Sequence, residues 1–375
     1  MLYFQVLLLT QEFEIALDYL TLQQRKSDAT HFALTLNYYG ALRLPNDTCP
    51  RAQTKFSPNV DTNGLCHPNT REFDFYDLLD GYVKSFSRFW PGRAADYYSM
   101  LDENELLQKE KFIVELILNT RNHNLLTMLV GSPYDSHKSI LQELFEEKEY
   151  NQYMMAAAQK AQQQGESDVA ITLYHCCRKY THAMAQLNVE LSSVLRPTAP
   201  RDRREEVEKM AREFARGLKS HVPPTNIQVN QLYESHSKTL FRLLNMSVFF
   251  RLMEKQNWVQ AQDAAAQSRI VNIDGSRTQA SNMQESIRTA FNALDNSVKC
   301  NVGLFLTEYM RCLYELYSQN MTGQPPSDAL RQRLMEIRRR ADIVFQHAVC
   351  IQGQQYQFSQ DDQNKLMKYL SMMKL

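Results

Sequence analysis

Helix-breaking residues are scarce in this chain of 375 residues, which carries 11 Gly and 12 Pro, many of the prolines clustered at 45–68, 197–200, 223–224 and 325–326. So few glycines leave little material for the loops that cradle phosphates, and the long intervals free of both residues favour long helices. Runs of alternating apolar and polar residues rich in Val, Ile and Thr are also missing, which excludes a fold built on sheets.

Net charge is missing too. Lys plus Arg and Asp plus Glu each number 42, so no overall field concentrates nucleic acid or an anionic membrane, and the expected partner is protein. No stretch reaches the about 18 consecutive apolar residues of a membrane-spanning helix. The opening MLYFQVLLLTQEFEIALDYL is apolar, but it has no basic lead and no small-residue cleavage site, and Gln11, Glu12 and Glu14 interrupt it; it reads as neither signal peptide nor span. The sequons at Asn46, Asn245 and Asn320 are therefore read as chance matches. Seven cysteines, at 49, 66, 176, 177, 300, 312 and 350, include no Cys-x-x-Cys pair and read as reduced, buried small hydrophobes of an intracellular protein.

What is present is one helical pattern after another. With 43% hydrophobic and 22% charged residues there is ample material for a folded core. From Arg201, the residues Val207, Met210, Ala211, Phe214 and Leu218 share one face, while Glu205 with Lys209 and Glu208 with Arg212 form i,i+4 pairs on a face expected to meet solvent. The segment 226–254 carries neither Gly nor Pro and sets Leu240, Leu243, Leu244 and Val248 on one side, predicting a helix far longer than average. A similar helix is expected over 279–319, with Gly303 as its one irregularity.

An internal echo accompanies the turns. Phe13 to Ala16, Trp90 to Ala94, Ser167 to Ala170 and Trp258 to Ala261 each end on an alanine that lets the second helix of a hairpin approach the first, with an aromatic or aliphatic residue before it to plug the turn. The copies are unevenly spaced, so the fold class expected is all-α, an irregular helical-hairpin solenoid with long helices near the C-terminus. Its divisions are expected at 1–43 (first helices), 44–71 (a Pro-rich surface loop), 72–195 (central hairpins) and 196–375 (long-helix block), with joints at 196–200 and 221–224.

Chemical constellations are weak. Cys49, Cys66 and His67, with His31 as a conceivable fourth ligand, match no standard zinc spacing. His175, Cys176, Cys177 and His182 are nearer in sequence, yet adjacent cysteines on a helix point about 100° apart, and a packed hairpin is the better reading. No Gly-x-Ser-x-Gly elbow and no His-Glu-x-x-His helix occurs. The carboxylates Glu143, Glu146, Glu147 and Glu149 and the basic run Arg331, Arg333 and Arg338–Arg340 read as solvated helix faces. The aromatics Phe249, Phe250, Tyr309, Tyr314 and Tyr317 fall, with Leu313, on helical stripes as core or groove positions. No catalytic residue, cofactor or metal is assigned.

The order of packing residues nonetheless resembles the nucleoporin-interacting component family of inner-ring nucleoporins. The likeness rests on Tyr3, Phe4, Phe13, Glu14 and Ala16, then His31, Ala33, Leu34 and Leu36, in the stretches LYFQVLLLTQEFEIALDYL and HFALTLNYYGALRL. It continues through Tyr82–Phe86, Pro91, Ala94, Tyr97, Tyr98 and Leu101, through 156–174, and through the closing blocks 341–357 and 364–375. The resemblance implies an elongated helical stack that doubles back on itself, of the kind used by vesicle-coat scaffolds. It further implies a structural constituent of the nuclear pore complex at the nuclear envelope, supporting pore assembly and transport of protein and RNA without catalysis. Linker-type nucleoporins would dock as a peptide in a solenoid groove. Recruitment of channel nucleoporins belongs in that family to a region upstream of the helices, which this sequence lacks, so the chain is expected to correspond to the C-terminal solenoid portion and its start to be truncated. The apolar helix at Met1 is accordingly expected to leave a sticky end exposed. The alternative is a vesicle-coat or tetratricopeptide-like adaptor in trafficking.

Overall fold

The computed structural model describes residues 2–42, 74–101, 106–132, 138–196, 199–218, 227–271, 280–321, 328–352 and 358–374. The Pro-rich segment 44–71, with Cys49, Cys66, His67 and Asn46, lies outside them, as do 221–224 and, within the joint at 196–200, residues 197 and 198. Among the described residues the regular structure is eighteen α-helices with no β-strand, and packing separates two units, residues 1–164 and 165–375.

The first unit holds α1 (Leu2–Leu9), α2 (Phe13–Leu22), α3 (Lys26–Tyr38), α4 (Phe75–Ser87), α5 (Pro91–Ser99), α6 (Leu106–Asn119), α7 (His123–Val130), α8 (Ile140–Leu144) and α9 (Glu147–Gln163). From α1 to α6 each helix packs on the next, after which α6 pairs with α9 while the short α7 and α8 settle against α5. Leu17, Phe75, Leu79, Ile113, Leu129 and Tyr153 are buried along this line. His31 ties α3 to two neighbours: its Nδ1–H donates to the Ser27 carbonyl at 2.8 Å, which leaves Nε2 to accept from the Tyr97 hydroxyl at 2.7 Å. The rings of Tyr82 and Tyr97 each lie 5.7 Å from its own. At α1, Leu2, Tyr3, Val6 and Leu9 are exposed.

The second unit holds α10 (Ser167–Cys176), α11 (Tyr180–Val194), α12 (Arg201–Leu218), α13 (Ile227–Glu254), α14 (Trp258–Gln267), α15 (Ala280–Asn292), α16 (Asn296–Met321), α17 (Asp328–Ile351) and α18 (Gln360–Lys374). Helices α11, α13 and α16 pack on one another, and α17 and α18 both lie against α16. The expected long helix is α13, with 28 residues. The second expected long helix is interrupted, because Asp295 stops it: its Oδ1 accepts from the Ser297 amide at 2.8 Å and opens α16. Gly303 lies buried inside α16 and is no irregularity.

Between α13 and α16 the core is aromatic. Phe249, Phe305 and Tyr309 are all fully buried, and Phe249 meets the other two rings at centroid distances of 5.0 and 6.1 Å. A polar pin sits where α11 crosses α16. The Ser192 hydroxyl donates to the Ser297 carbonyl at 2.6 Å, and the Asn301 amide donates to the Ser192 carbonyl and hydroxyl at 3.1 and 2.8 Å.

His347 on α17 is buried, its Nδ1–H donating to the Ile343 carbonyl at 2.9 Å. Burial holds its pKa below the ordinary 6.5, with the backbone bond opposing. A base depressed in the folded state is neutral in both states above pH 6.5, whereas below that value the unfolded chain binds the proton first. Stability should therefore fall as pH drops below 6.5, and His347→Gln should flatten that part of the curve. Equal slopes for the two proteins in denaturation midpoint against pH would refute this.

The turns themselves repeat more closely than the sequence suggests. Gln11, Gln24, Gly165, Arg178 and Gln256 all adopt left-handed backbone, with φ of 59°, 59°, 77°, 57° and 56°. One residue later comes the N-cap, and five residues later comes Ala16, Ala29, Ala170, Ala183 or Ala261, each with no exposed surface. In every copy the alanine N–H donates to the N-cap carbonyl at 3.0 or 3.1 Å, closing the first helical turn. In four of them the N-cap N–H reaches five residues back, as from Glu12 to Leu7 at 2.9 Å and from Lys179 to Tyr174 at 2.8 Å, the bond that closes a helix C-terminus. Ala94, the remaining expected copy, is also buried without exposure, but it follows a different turn in which Pro91 is buried and Trp90 is 65% exposed. Trp90 therefore does not plug the joint; the ring of Pro91 occupies the interior instead.

Left-handed backbone at a residue with a Cβ costs about 1–2 kcal/mol, part of which glycine returns through its freer unfolded state. Gln24→Gly, Arg178→Gly and Gln256→Gly are each expected to stabilise by about 0.5–1 kcal/mol in urea denaturation. A loss of stability in all three would contradict the left-handed assignment.

Candidate partner-docking groove

The residues singled out for chemistry are dispersed. His175 is buried with its ring 4.7 Å from that of Phe214, whereas His182 lies 5.4 Å from Tyr174, so the two imidazoles serve different contacts. The Cys177 thiol reaches the Tyr174 carbonyl at 3.4 Å and burial raises its pKa, which makes it a packed thiol and not a ready ligand. Among the described residues no group of three or more His, Cys, Asp or Glu stands in position to hold a metal.

Glu143, Glu146 and Glu147 are exposed and Glu149 is half-buried, so three of these four carboxylates stand on a solvated face. The basic run on α17 is engaged locally: Arg339 and Arg340 meet Glu336 at 3.1 and 2.9 Å, while Arg338 donates to the Tyr317 hydroxyl and stacks 5.0 Å from that ring. Asn245 and Asn320 each donate their amide to a backbone carbonyl, those of Gln267 and Leu316. Phe249, Tyr309, Leu313 and Tyr317 are core residues.

Helix α12 carries the feature that periodicity missed. Its apolar stripe is buried at Val207, Ala211, Phe214 and Leu218, as expected. Arg203 on the same helix gathers three carboxylates, with bonds of 2.6 and 3.0 Å to Asp168, 3.2 Å to Glu190 and 3.1 Å to Glu206. These partners hold the guanidinium pKa above its ordinary value and join α10, α11 and α12.

Glu208 departs from the solvent-facing role expected of it, being 4% exposed. A carboxylate is taken from water only if it is paired, and Arg212 binds it at 3.0 Å from one turn on, with Arg251 of α13 at 3.9 Å.

Around Glu208 the two helices open into a cavity of about 780 Å³. Leu195, Ser247 and Phe250 line it, Leu195 and Ser247 being buried. Six cations also line it: Arg201, Arg204, Lys209, Arg212, Arg251 and Lys255. Against them stand three carboxylates, Glu205, Glu208 and Glu254. Arg201 is paired with Glu205 at 3.0 Å and Arg204 with Glu254 at 2.6 Å. The sequence displayed every one of these charges, but only the crossing of α12 and α13 brings them to one cleft.

A stack of helical hairpins joined by a repeated turn, whose polar side chains serve as joints and line a charged cleft, defines a helical scaffold. The chain belongs to the Nup93/Nic96 family, whose profile it matches over residues 1–361. It is 24% identical over 357 residues to the nuclear pore complex protein Nup93 of Danio rerio, covering 92% of this chain and 41% of that protein. The Meiotically up-regulated gene 87 protein of Schizosaccharomyces pombe is 24% identical over 364 residues, or 94% of this chain and 42% of that protein. The crystal structure of Chaetomium thermophilum Nic96 SOL superposes with a TM-score of 0.71 at 18% identity, covering 98% of this chain and 55% of that one. The fold is thus the helical solenoid of that structure, and the chain spans about two fifths of the length of these curated relatives.

Proposed function

We propose that this chain is a scaffold of the nuclear pore complex, acting at the nuclear envelope by holding other nucleoporins in place, and that it performs no catalysis. The observation carrying this reading is the extent of the likeness: 24% identity to Nup93 of Danio rerio runs over 92% of the chain, and the family match spans residues 1–361. Pore assembly and the passage of protein and RNA would depend on it indirectly. At the finer level the partner is a linker-type nucleoporin peptide laid between helices. The test is to tag the native protein and image it. A nuclear-rim signal with co-purifying nucleoporins is expected; a diffuse signal, or co-purification with vesicle-coat subunits, would overturn the assignment in favour of a trafficking adaptor.

A further inference from the structure

The geometry points to the cleft between α12 and α13 as a docking site for an acidic, extended peptide segment of a partner protein, held by Lys209, Arg251 and Lys255. Three of the six cations are paired within the cleft, Arg201 with Glu205, Arg204 with Glu254 and Arg212 with Glu208. The other three are not neutralised in the same way. Arg251 shares Glu208, already bound by Arg212, in a longer ion pair of 3.9 Å, so one carboxylate faces two guanidinium groups, and no hydrogen bond or ion pair of the Lys209 or Lys255 ammonium occurs among the described residues. Arg251 stands in the last turn of α13 and Lys255 just past its end, four residues on, a spacing that brings like charges near one another. An arrangement that accumulates uncompensated cations on the wall of an open cleft is one that an anionic ligand relieves.

The cleft also states what form the anion takes. Three carboxylates share the space, so a compact polyphosphate would meet repulsion along with attraction, whereas a chain that spaces its charges can place them beside Lys209, Arg251 and Lys255. Phe250 and Leu195 offer apolar surface between the charged groups, which suits the side chains alternating with acidic ones along an extended peptide. Glu208 shows the chemistry already in use, a carboxylate of this chain held beside Arg212 and Arg251.

The proposal rests on the scaffold reading only for the kind of partner, and its test is independent of cellular location. A short fluorescein-labelled peptide of alternating Glu and Leu, titrated with the purified full chain, should show saturable fluorescence anisotropy that weakens as salt rises. The double variant Lys209→Glu, Lys255→Glu should lose about tenfold in affinity, while Arg333→Glu, on an exposed position of α17, should leave binding unchanged. Circular dichroism melting checks that the variants fold, and Lys209→Gln with Lys255→Gln supplies a milder pair if the reversals do not. Absence of saturable binding, indifference to both Lys pairs, or displacement of the peptide by tripolyphosphate at lower concentration than by unlabelled peptide would each overturn the assignment. A diffuse signal in cells alongside intact peptide binding would instead remove the pore reading and leave the cleft.

Discussion

Replacing Phe249 by alanine is expected to destabilise the second unit by about 3–5 kcal/mol. The ring has no exposed surface and sits where α13 meets α16, with Phe305 and Tyr309 as neighbours. Truncation removes the transfer free energy of a buried aromatic and leaves a void walled by two rings on a long helix, which relaxes poorly because Ser192 and Asn301 pin that helix elsewhere. The chain has two tryptophans, Trp90 in the first unit and Trp258 in the second. In a Trp90→Phe background the fluorescence of Trp258 therefore reports the second unit during urea unfolding. Phe241→Ala, 40% exposed on the same helix, is the control and should cost well under half as much. A Phe249→Ala loss below about 1 kcal/mol would mean that the aromatic cluster is not the core of this unit.

Enlarging a turn alanine should have the next largest effect. Ala261→Leu and Ala183→Leu are each expected to cost about 1–3 kcal/mol, because both alanines lie without exposure where one helix leaves a turn and passes the helix before it. The added carbons have nowhere to go unless the hairpin opens, and opening it strains the hydrogen bonds that the Ala261 and Ala183 N–H groups donate to the Asn257 and Lys179 carbonyls, at 3.0 and 3.1 Å. Ala293→Leu, at an exposed position between α15 and α16, supplies the comparison and should lie within about 0.5 kcal/mol of the parent. If Leu at 261 and at 293 gave the same midpoint, close helix approach would not be the reason for alanine in these turns.

Much of this fold could be read from the residues, and the failures have identifiable causes. The stripes of α12 and the length of α13 follow from spacing alone, since burial of an apolar face and the absence of breakers leave little choice. Ala16, Ala94, Ala170 and Ala261 were also visible, but Ala29 and Ala183 were not, although they occupy the same place as Ala16, Ala170 and Ala261. Phe13 and Trp258 flag Ala16 and Ala261, whereas Lys26, Ser27 and Asp28 offer no such plug before Ala29, and the left-handed residue that begins each turn gives little help. Where Gly165 fills it the helix end announces itself, whereas Gln11, Gln24, Arg178 and Gln256 look like ordinary helical residues and carry no local signal. The break before α16 was missed for a similar reason, because Asp295 capping looks in sequence like one more polar residue on a helix. Glu208 was placed on the wrong side although its pairing with Arg212 was legible, because the wall that covers it, with Arg251 at 3.9 Å, belongs to another helix. The cleft inherits that difficulty: a charge seen along one helix pairs with its neighbours on paper, and only the neighbouring helix decides which charges are left over.

The repeated turn has a consequence for how such a chain can change. Its register is the same whether the helix before it has 8 residues, as α1 does, 10, as α2 and α10 do, or 28, as α13 does. The joint is indifferent to the arm. An insertion of whole helical turns, or the excision of one hairpin between two such joints, would present the next arm with the same five-residue step from left-handed residue to buried alanine. Hairpins joined in this way have the geometry of exchangeable cassettes, since the step at the joint is the same whatever the length of the arm before it.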